Sequence, residues 1–284
     1  MTIFINTILA LVAFAGNSVL CRFALGDNLI DASSFTSIRL LAGIVMLVSI
    51  SYLFERRSLH KSDGSWQASI FLFIYAAAFS FAYIYLDTGT GALILFTAVQ
   101  LSMILIGIFL GNQLNRVEWF GLIAAFFGFV YLISPGITAP SLEGFLLMSV
   151  AGIAWGCYTL KGKASTNPLA DTTGNFVRTL PFVALLVLMT YQNSQLSTIG
   201  VALAVVSGGL ASGVGYTIWY SALKGLTTVR AAVVQLSVPI IAAIGGAIFV
   251  NEGLSLRFVI SSVVILGGIL TVILARGYGK QTRV

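Results

Sequence analysis

The chain has 284 residues, of which 58% are hydrophobic and only 8% are charged, and its formal net charge is +6. A soluble globular domain carries about 25% charged residues, so this composition excludes a soluble protein. The apolar runs are long enough to cross a bilayer as helices, and they lack the strict alternation of a transmembrane barrel. The sequence therefore predicts an all-α membrane protein.

Ten apolar stretches of membrane-spanning length follow one another along the chain, joined by short connections. They are Thr2–Leu20, Phe35–Phe54, Trp66–Leu86, Ala92–Leu110, Val117–Ser134, Gly144–Leu160, Gly174–Tyr191, Ile199–Leu223, Ala231–Val250 and Leu256–Ala275. No basic segment precedes the first stretch and no small-residue cleavage site follows it, so we interpret it as a retained helix and not as a signal peptide.

The positive charges lie mostly on one side of these spans. The side of the amino terminus collects Arg56, Arg57, Lys61, Arg116, Lys161, Lys163, Lys224, Arg230, Arg276, Lys280 and Arg283. The opposite side keeps only Arg22 and Arg257. By the positive-inside rule, both termini are predicted to be cytoplasmic. This orientation accounts for the net positive charge, so we predict no nucleic-acid partner.

The two halves of the chain match each other at a shift of 140 positions, as Leu86 and Leu226 illustrate. Residues 1–136 hold the first five predicted spans and residues 141–284 hold the other five. Because five is odd, the second half must enter the membrane from the opposite face. The sequence therefore predicts two inverted five-helix repeats, a transporter architecture with its substrate site between the repeats near the membrane midplane.

Aromatic residues concentrate on the third and eighth spans, at a helical spacing that places each set on one face, and Trp155 and Tyr158 lie on the sixth span. Together with three uncharged mid-span amides they form the predicted substrate-binding set: Asn17, Tyr75, Phe79, Tyr83, Gln100, Trp155, Tyr158, Tyr216, Trp219, Tyr220 and Gln235. Such rings can stack on a planar side chain and hold an ammonium group, and the amides can bond a carboxylate. An interfacial aromatic belt and interhelical hydrogen bonds remain alternative explanations.

Two arginines, Arg39 and Arg178, lie inside predicted spans. A charge at a helix centre costs about 2.5 to 3.5 kcal/mol on insertion scales. Each side chain could extend to the interface or cap backbone carbonyls, or it could anchor an anionic group. The acidic residues lie at span ends, so a membrane-embedded carboxylate for proton exchange is absent, and Asp87 is left as the candidate for coupling.

Small and cyclic residues on two late spans predict bending points. Gly208, Gly209, Gly213 and Gly215 lie on the eighth span, and Pro239 lies on the ninth. Glycine and proline weaken a helix locally, which allows a gate to move. Close helix packing is the alternative explanation.

The residue inventory argues against an enzyme. The only histidine, His60, lies in a charged loop, so neither an intramembrane metal site nor a histidine base is available. We therefore predict no catalytic activity, no metal and no cofactor. Cys21 and Cys157 fall inside spans and predict buried thiols instead of a disulfide.

Three segments resemble a known family. They are AFAGNS from Ala13, AWGCYT from Ala154, and Pro239–Glu252 with its terminal acidic residue. With the two five-span halves and the basic tail, they resemble the ten-helix EamA-type members of the drug/metabolite transporter superfamily, in particular YddG-type exporters of aromatic amino acids and of flat dications such as methyl viologen (paraquat).

The resemblance covers the whole chain. It implies a multi-pass protein of the bacterial inner membrane whose partners are the lipid bilayer and a small-molecule substrate. We predict that the protein is a monomer. The resemblance also implies export of small metabolites, foremost amino acids including aromatic ones, by alternating access through a central cavity. A multidrug or dication exporter on the same scaffold and a structural membrane protein with a closed core remain alternatives.

Overall fold

The computed structural model describes residues 2–55, 63–111, 113–136, 139–162, 165–226 and 228–281. His60 and the predicted cytoplasmic cations Arg56, Arg57, Lys61, Lys163 and Arg283 lie outside these ranges. Within them the chain forms helices and connections, and the only β contact is the isolated bridge between Ile30 and Leu196. The predicted all-α fold is confirmed.

The helices of the described residues are α1 (Thr2–Gly26), α2 (Ala32–Glu55), α3 (Trp66–Ala82), α4 (Thr88–Phe109), α5 (Arg116–Ile133), α6 (Leu142–Gly162), α7 (Pro168–Val177), α8 (Leu180–Thr190), α9 (Thr198–Val206), α10 (Gly215–Leu223), α11 (Thr228–Gln235), α12 (Val238–Phe249) and α13 (Leu256–Gln281). A π-helical segment, Ser207–Val214, joins α9 to α10. Within the described ranges, nine helical stretches are long and apolar enough to cross a membrane, and α3 is a shorter apolar helix.

Two predicted spans are broken where the sequence predicted continuous helices. The seventh divides into α7 and α8 at residues 178–179, and the ninth divides into α11 and α12 at residues 236–237. Pro181 and Pro239 sit in the first turn of α8 and α12. A proline lacks the N–H that would continue the preceding helix but is tolerated at the start of a new one, which explains both breaks.

Short polar motifs fix several helix starts. At α5, the Asn115 side chain accepts from the backbone N–H of Glu118 at 2.9 Å, and the Glu118 side chain accepts from the N–H of Asn115 at 2.7 Å. This reciprocal pair is a capping box. At α7, the Asn167 side chain caps the first turn and Pro168 begins the helix. The seventh span therefore starts at Pro168 and not at Gly174 as predicted.

Helices of the two halves pack against each other in a matched way. α5 contacts α13, α4 contacts α12, and α2 contacts α7. α1 contacts α10 and α12, and correspondingly α6 contacts α3 and α4. Exchanging each span for the one five positions away along the chain reproduces these contacts.

Hydrogen bonds also tie connections of one half to the other half at both ends of the bundle. At one end, the Gln195 backbone N–H donates to the Asp31 carboxylate at 2.9 Å. At the other, the Gly64 backbone N–H donates to the Asp171 carboxylate at 2.9 Å. Asp31 precedes α2 and Asp171 lies in the first turn of α7, so the two contacts occupy corresponding places in the two halves.

The π-helical segment packs its first glycine directly on α2, which gives a testable contrast between neighbouring glycines. A Cβ atom on Gly208 would lie 2.9 Å from the Cα atom of Arg39, whereas one on Gly209 would meet only the Met46 Cε atom at 3.5 Å. Backbone cannot move aside, so we expect Gly208→Ala to lower the free energy of unfolding by about 1–3 kcal/mol. Gly209→Ala is the control and should be neutral or stabilising. Thermal unfolding in detergent measures both, and equal melting temperatures would contradict the packing.

Candidate substrate cavity

A cavity of about 350 Å3 lies among helices of both halves. This volume is at the lower end of the range of roughly 300–1,000 Å3 that is typical of small-molecule sites. Ten of the eleven residues in the predicted substrate-binding set line it: Asn17, Tyr75, Phe79, Gln100, Trp155, Tyr158, Tyr216, Trp219, Tyr220 and Gln235. The lining extends to Gly162, Ser165 and Leu226, at the end of the bundle that we call the mouth end. Tyr83 does not line the cavity.

Trp155 on α6 is the centre of an aromatic cluster in the cavity wall. Its ring centroid lies 4.7 Å from Tyr75, 5.2 Å from Tyr158 and 5.2 Å from Tyr216. The planes of Trp155 and Tyr158 are inclined by only 29°, so these two rings are stacked. Such contacts fix the positions of the aromatic rings in the wall. A planar group of a substrate can stack on the same ring faces.

Some polar groups of the wall are held by hydrogen bonds to other side chains. The Thr172 hydroxyl donates to the Tyr220 hydroxyl at 3.1 Å. The Asn17 side-chain oxygen accepts from the Ser207 hydroxyl, which joins α1 to the π-helical segment. The cavity therefore offers apolar surface with a few positioned polar atoms, the composition expected for a small-molecule site.

The sequence interpretation missed four notable lining residues. They are Phe14, Asp171, Thr172 and Asn175. Phe14 lies three positions before the predicted Asn17, on the same helix face, and that spacing could have indicated it. The other three are on α7, whose cap and first proline place its start upstream of the predicted one.

Asp171 brings a carboxylate to the cavity wall near the mouth end. One of its oxygens accepts from the Gly64 N–H at 2.9 Å, and the other accepts from the hydroxyl of Ser165. These bonds hold the carboxylate in a fixed position between the two halves. It can attract the cationic group of a substrate that enters from this end.

The opposite end of the bundle is closed by a set of polar contacts that we call the latch: Arg22, Tyr83, Thr88 and Glu252. The Arg22 Nε atom donates to Glu252 Oε1 at 3.1 Å, and Arg22 Nη1 donates to the Tyr83 carbonyl at 3.0 Å. The other carboxylate oxygen of Glu252 accepts from the Thr88 backbone N–H at 2.8 Å. Asp87 lies further out, 3.8 Å from Arg22, with 61% of its side chain exposed. The latch joins the first half of the chain to the second.

Tight packing below the latch completes the closed end. Tyr83 is fully buried there and its hydroxyl donates to the Thr88 carbonyl at 3.3 Å. A Cβ atom on Gly89 would lie 2.7 Å from the Cβ atom of Ala243, so α4 and α12 touch without room for a side chain. At the mouth end the lining includes the exposed Gly162, so the cavity reaches the surface there, whereas the other end is sealed.

The two arginines inside predicted spans have different surroundings. Arg178 donates to the backbone carbonyls of Gly174, at 3.1 Å, and of Asp63. Arg39 is only 2% exposed, and its guanidinium carbon lies 4.8 Å from the Phe79 ring centroid and 5.3 Å from that of Tyr75. Arg178 therefore caps carbonyls, whereas Arg39 lies against two aromatic residues of the cavity wall.

The predicted bending points coincide with irregular backbone. Gly208, Gly209 and Gly213 lie in the π-helical segment, and Gly215 is the first residue of α10. Pro239 follows the break between α11 and α12. A π-helical turn leaves the regular ladder of helical hydrogen bonds incomplete, and bending at these residues stays a prediction.

A helical membrane bundle with a central cavity, open at one end and closed at the other, fits a membrane transporter. The model of the EamA-like transporter family matches residues 142–274. An uncharacterized protein of Pseudomonas aeruginosa is 48% identical over 277 residues, which are 98% of this chain and 96% of the relative. The chain belongs to the EamA-like transporter family, within the drug/metabolite transporter superfamily, and is a multi-pass membrane protein.

More distant relatives are also transporters by name. An uncharacterized transporter of Archaeoglobus fulgidus is 28% identical over 182 residues, covering 61% of this chain and 63% of its own. A protein of Escherichia coli named a probable amino-acid metabolite efflux pump is 25% identical over 197 residues, covering 64% and 66%. A solved crystal structure aligns over 94% of this chain and 98% of its own with a TM-score of 0.63 and 15% identity, which supports the fold.

Proposed function

We propose that this protein exports small amphipathic metabolites, foremost amino acids including aromatic ones, across the bacterial inner membrane by alternating access. One observation carries the proposal: an aromatic cavity between the halves is open at the mouth end and sealed by the latch at the other. Substrate enters at the mouth end, the latch opens as the mouth closes, and substrate leaves on the far side.

Two inverted repeats, residues 1–136 and 141–284, would provide this motion. The matched helix contacts and the corresponding bonds of Asp31 and Asp171 at opposite ends support such a symmetry. In an inverted repeat each half can adopt the packing of the other, which exchanges the open end for the closed one. With both termini cytoplasmic, as the cation distribution predicts, the mouth end faces the cytoplasm. We also propose that the protein works as a monomer.

The charge pattern favours amino acids over flat dications. Arg39 places a buried positive charge directly behind Tyr75 and Phe79, and a dication in the cavity would be repelled by it. An amino acid offers a carboxylate to that charge and an ammonium group to the aromatic faces. The carboxylate of Asp171 and the aromatic faces of the wall favour a cationic substrate, so a dication exporter is the second candidate. A cavity of about 350 Å3 argues against a purely structural protein with a closed core.

Flux in sealed proteoliposomes tests the proposal. Vesicles are loaded with labelled phenylalanine, threonine or methyl viologen. Those that contain the protein should lose phenylalanine at least about tenfold faster than vesicles without protein, a factor that corresponds to about 1.4 kcal/mol of barrier lowering. Methyl viologen should leave at the control rate. Dication flux without amino-acid flux would replace the first candidate by the second, and a parallel series with a pH gradient would reveal coupling to protons.

A further inference from the structure

Arg39 carries a charge that its surroundings leave incompletely satisfied. Its guanidinium has five N–H donors. Nη2 donates to the Tyr75 hydroxyl at 3.1 Å, whereas Nη1 is buried without a hydrogen-bond partner. Among the described residues, no carboxylate lies at ion-pair distance from it. A buried charge without a counterion is costly, so an anion that reaches this region is strongly favoured.

The Tyr75 hydroxyl connects this charge to the cavity. The oxygen accepts from Arg39, which leaves the donor capacity of its own O–H unused by this bond. Tyr75 lines the cavity and its ring lies 4.7 Å from Trp155. A hydroxyl that accepts from a guanidinium becomes a stronger donor, because successive hydrogen bonds polarise one another.

We propose that Arg39 and Tyr75 form an anion subsite in the cavity wall that takes the carboxylate of the substrate. The Tyr75 hydroxyl donates to the carboxylate, and the Arg39 charge behind it stabilises the bound anion through the low-dielectric interior. The ring of an aromatic substrate then lies against Trp155. This subsite rests on the proposed function and refines it, because it identifies the substrate as a carboxylate.

The decisive variant is Tyr75→Phe, which keeps the ring beside Arg39 and removes only the hydroxyl. Calorimetric binding to the purified full-length protein compares three probes: phenylalanine, 3-phenylpropionate, which lacks the amine, and phenethylamine, which lacks the carboxylate. We expect Tyr75→Phe to lower the affinity for phenylalanine and for 3-phenylpropionate by about tenfold or more, because a hydrogen bond to a charged group is lost. Phenethylamine affinity should change by less than about twofold, because it makes no such bond.

Tyr131→Phe is the matched control. Tyr131 also lies beside an arginine, since the Arg257 guanidinium carbon is 5.7 Å from its ring centroid, but it is away from the cavity. It should leave all three affinities unchanged. Arg39→Gln, which removes the charge and keeps a donor for Tyr75, should weaken the carboxylates at least as much as Tyr75→Phe, and its melting temperature reports whether it folds.

The outcomes separate the subsite from the proposed function. Equal weakening of all three probes in Tyr75→Phe, or no weakening, would overturn the subsite even when the wild-type protein binds phenylalanine. Selective weakening of the carboxylates supports it. A wild-type protein that binds 3-phenylpropionate but not phenylalanine, with the same selective loss, would retain the anion subsite and reject amino acids as the substrate.

Discussion

Glu252→Gln should open the sealed end of the bundle. The change removes the charge that accepts from both Arg22 and the Thr88 N–H. Hydrogen bonds to charged groups contribute about 1.5–3 kcal/mol, so we expect the open population at this end to rise at least about tenfold. A cysteine at Thr88, which is fully buried, reports the opening by its reaction with a membrane-impermeant maleimide in a background without Cys21 and Cys157.

Asp87→Asn is the control at the same end of the bundle, just outside the latch. The Asp87 carboxylate is 61% exposed and lies 3.8 Å from Arg22, and exposed ion pairs of this kind contribute about 0–1 kcal/mol. Its effect on Thr88→Cys labelling should therefore stay below about fivefold. Equal labelling in the two variants would show that Glu252 does not hold this end closed.

Trp155→Ala should remove most of the affinity for aromatic substrates. Trp155 contacts three rings of the cavity wall, and each aromatic pair contributes about 0.5–1.5 kcal/mol beyond the area it buries. We expect phenylalanine binding to weaken at least about tenfold, and threonine binding to weaken less because threonine has no ring to stack. Equilibrium binding of the two labelled amino acids measures the difference.

Two further variants make this result specific. Trp155→Phe keeps a ring and should lose less affinity than Trp155→Ala. Trp119 on α5 is 48% exposed on the outside of the bundle, so Trp119→Ala should bind both amino acids normally. Weakening of phenylalanine and threonine by the same factor in Trp155→Ala would mean that the residue supports the helix packing and does not contact substrate.

Sequence periodicity indicated which aromatic residues of the third span share a face, but not which of them reach the cavity. Tyr75, Phe79 and Tyr83 recur every four residues, and the Phe79 ring contacts both tyrosine rings, at centroid distances of 5.5 Å and 4.8 Å. Only the first two line the cavity, because α3 ends at Ala82 and Tyr83 turns into the sealed end. Spacing along a helix carries no information about where the cavity stops.

Contacts between residues far apart in the chain could not be predicted from the sequence. Arg22 and Glu252 are 230 positions apart, so no local pattern indicates that they meet. Arg39 and Arg178 looked equivalent in sequence because both are arginines near the start of matching spans. Their different roles depend on neighbours from other helices, the Asp63 carbonyl for one and the Tyr75 hydroxyl for the other. Pairings of this kind are set by tertiary packing alone.

Alternating access requires that the cavity opens at one end while the other end is closed. Thr159 lines the cavity on α6 and Thr88 is buried at the sealed end, so cysteines at these positions report the two ends separately. In sealed vesicles of known orientation, we predict that Thr159→Cys reacts with an impermeant maleimide from one side only. Thr88→Cys should react only from the other side, and faster when phenylalanine is being exchanged. Reaction of both cysteines from the same side, or an unreactive Thr88→Cys during measured phenylalanine flux, would contradict the account.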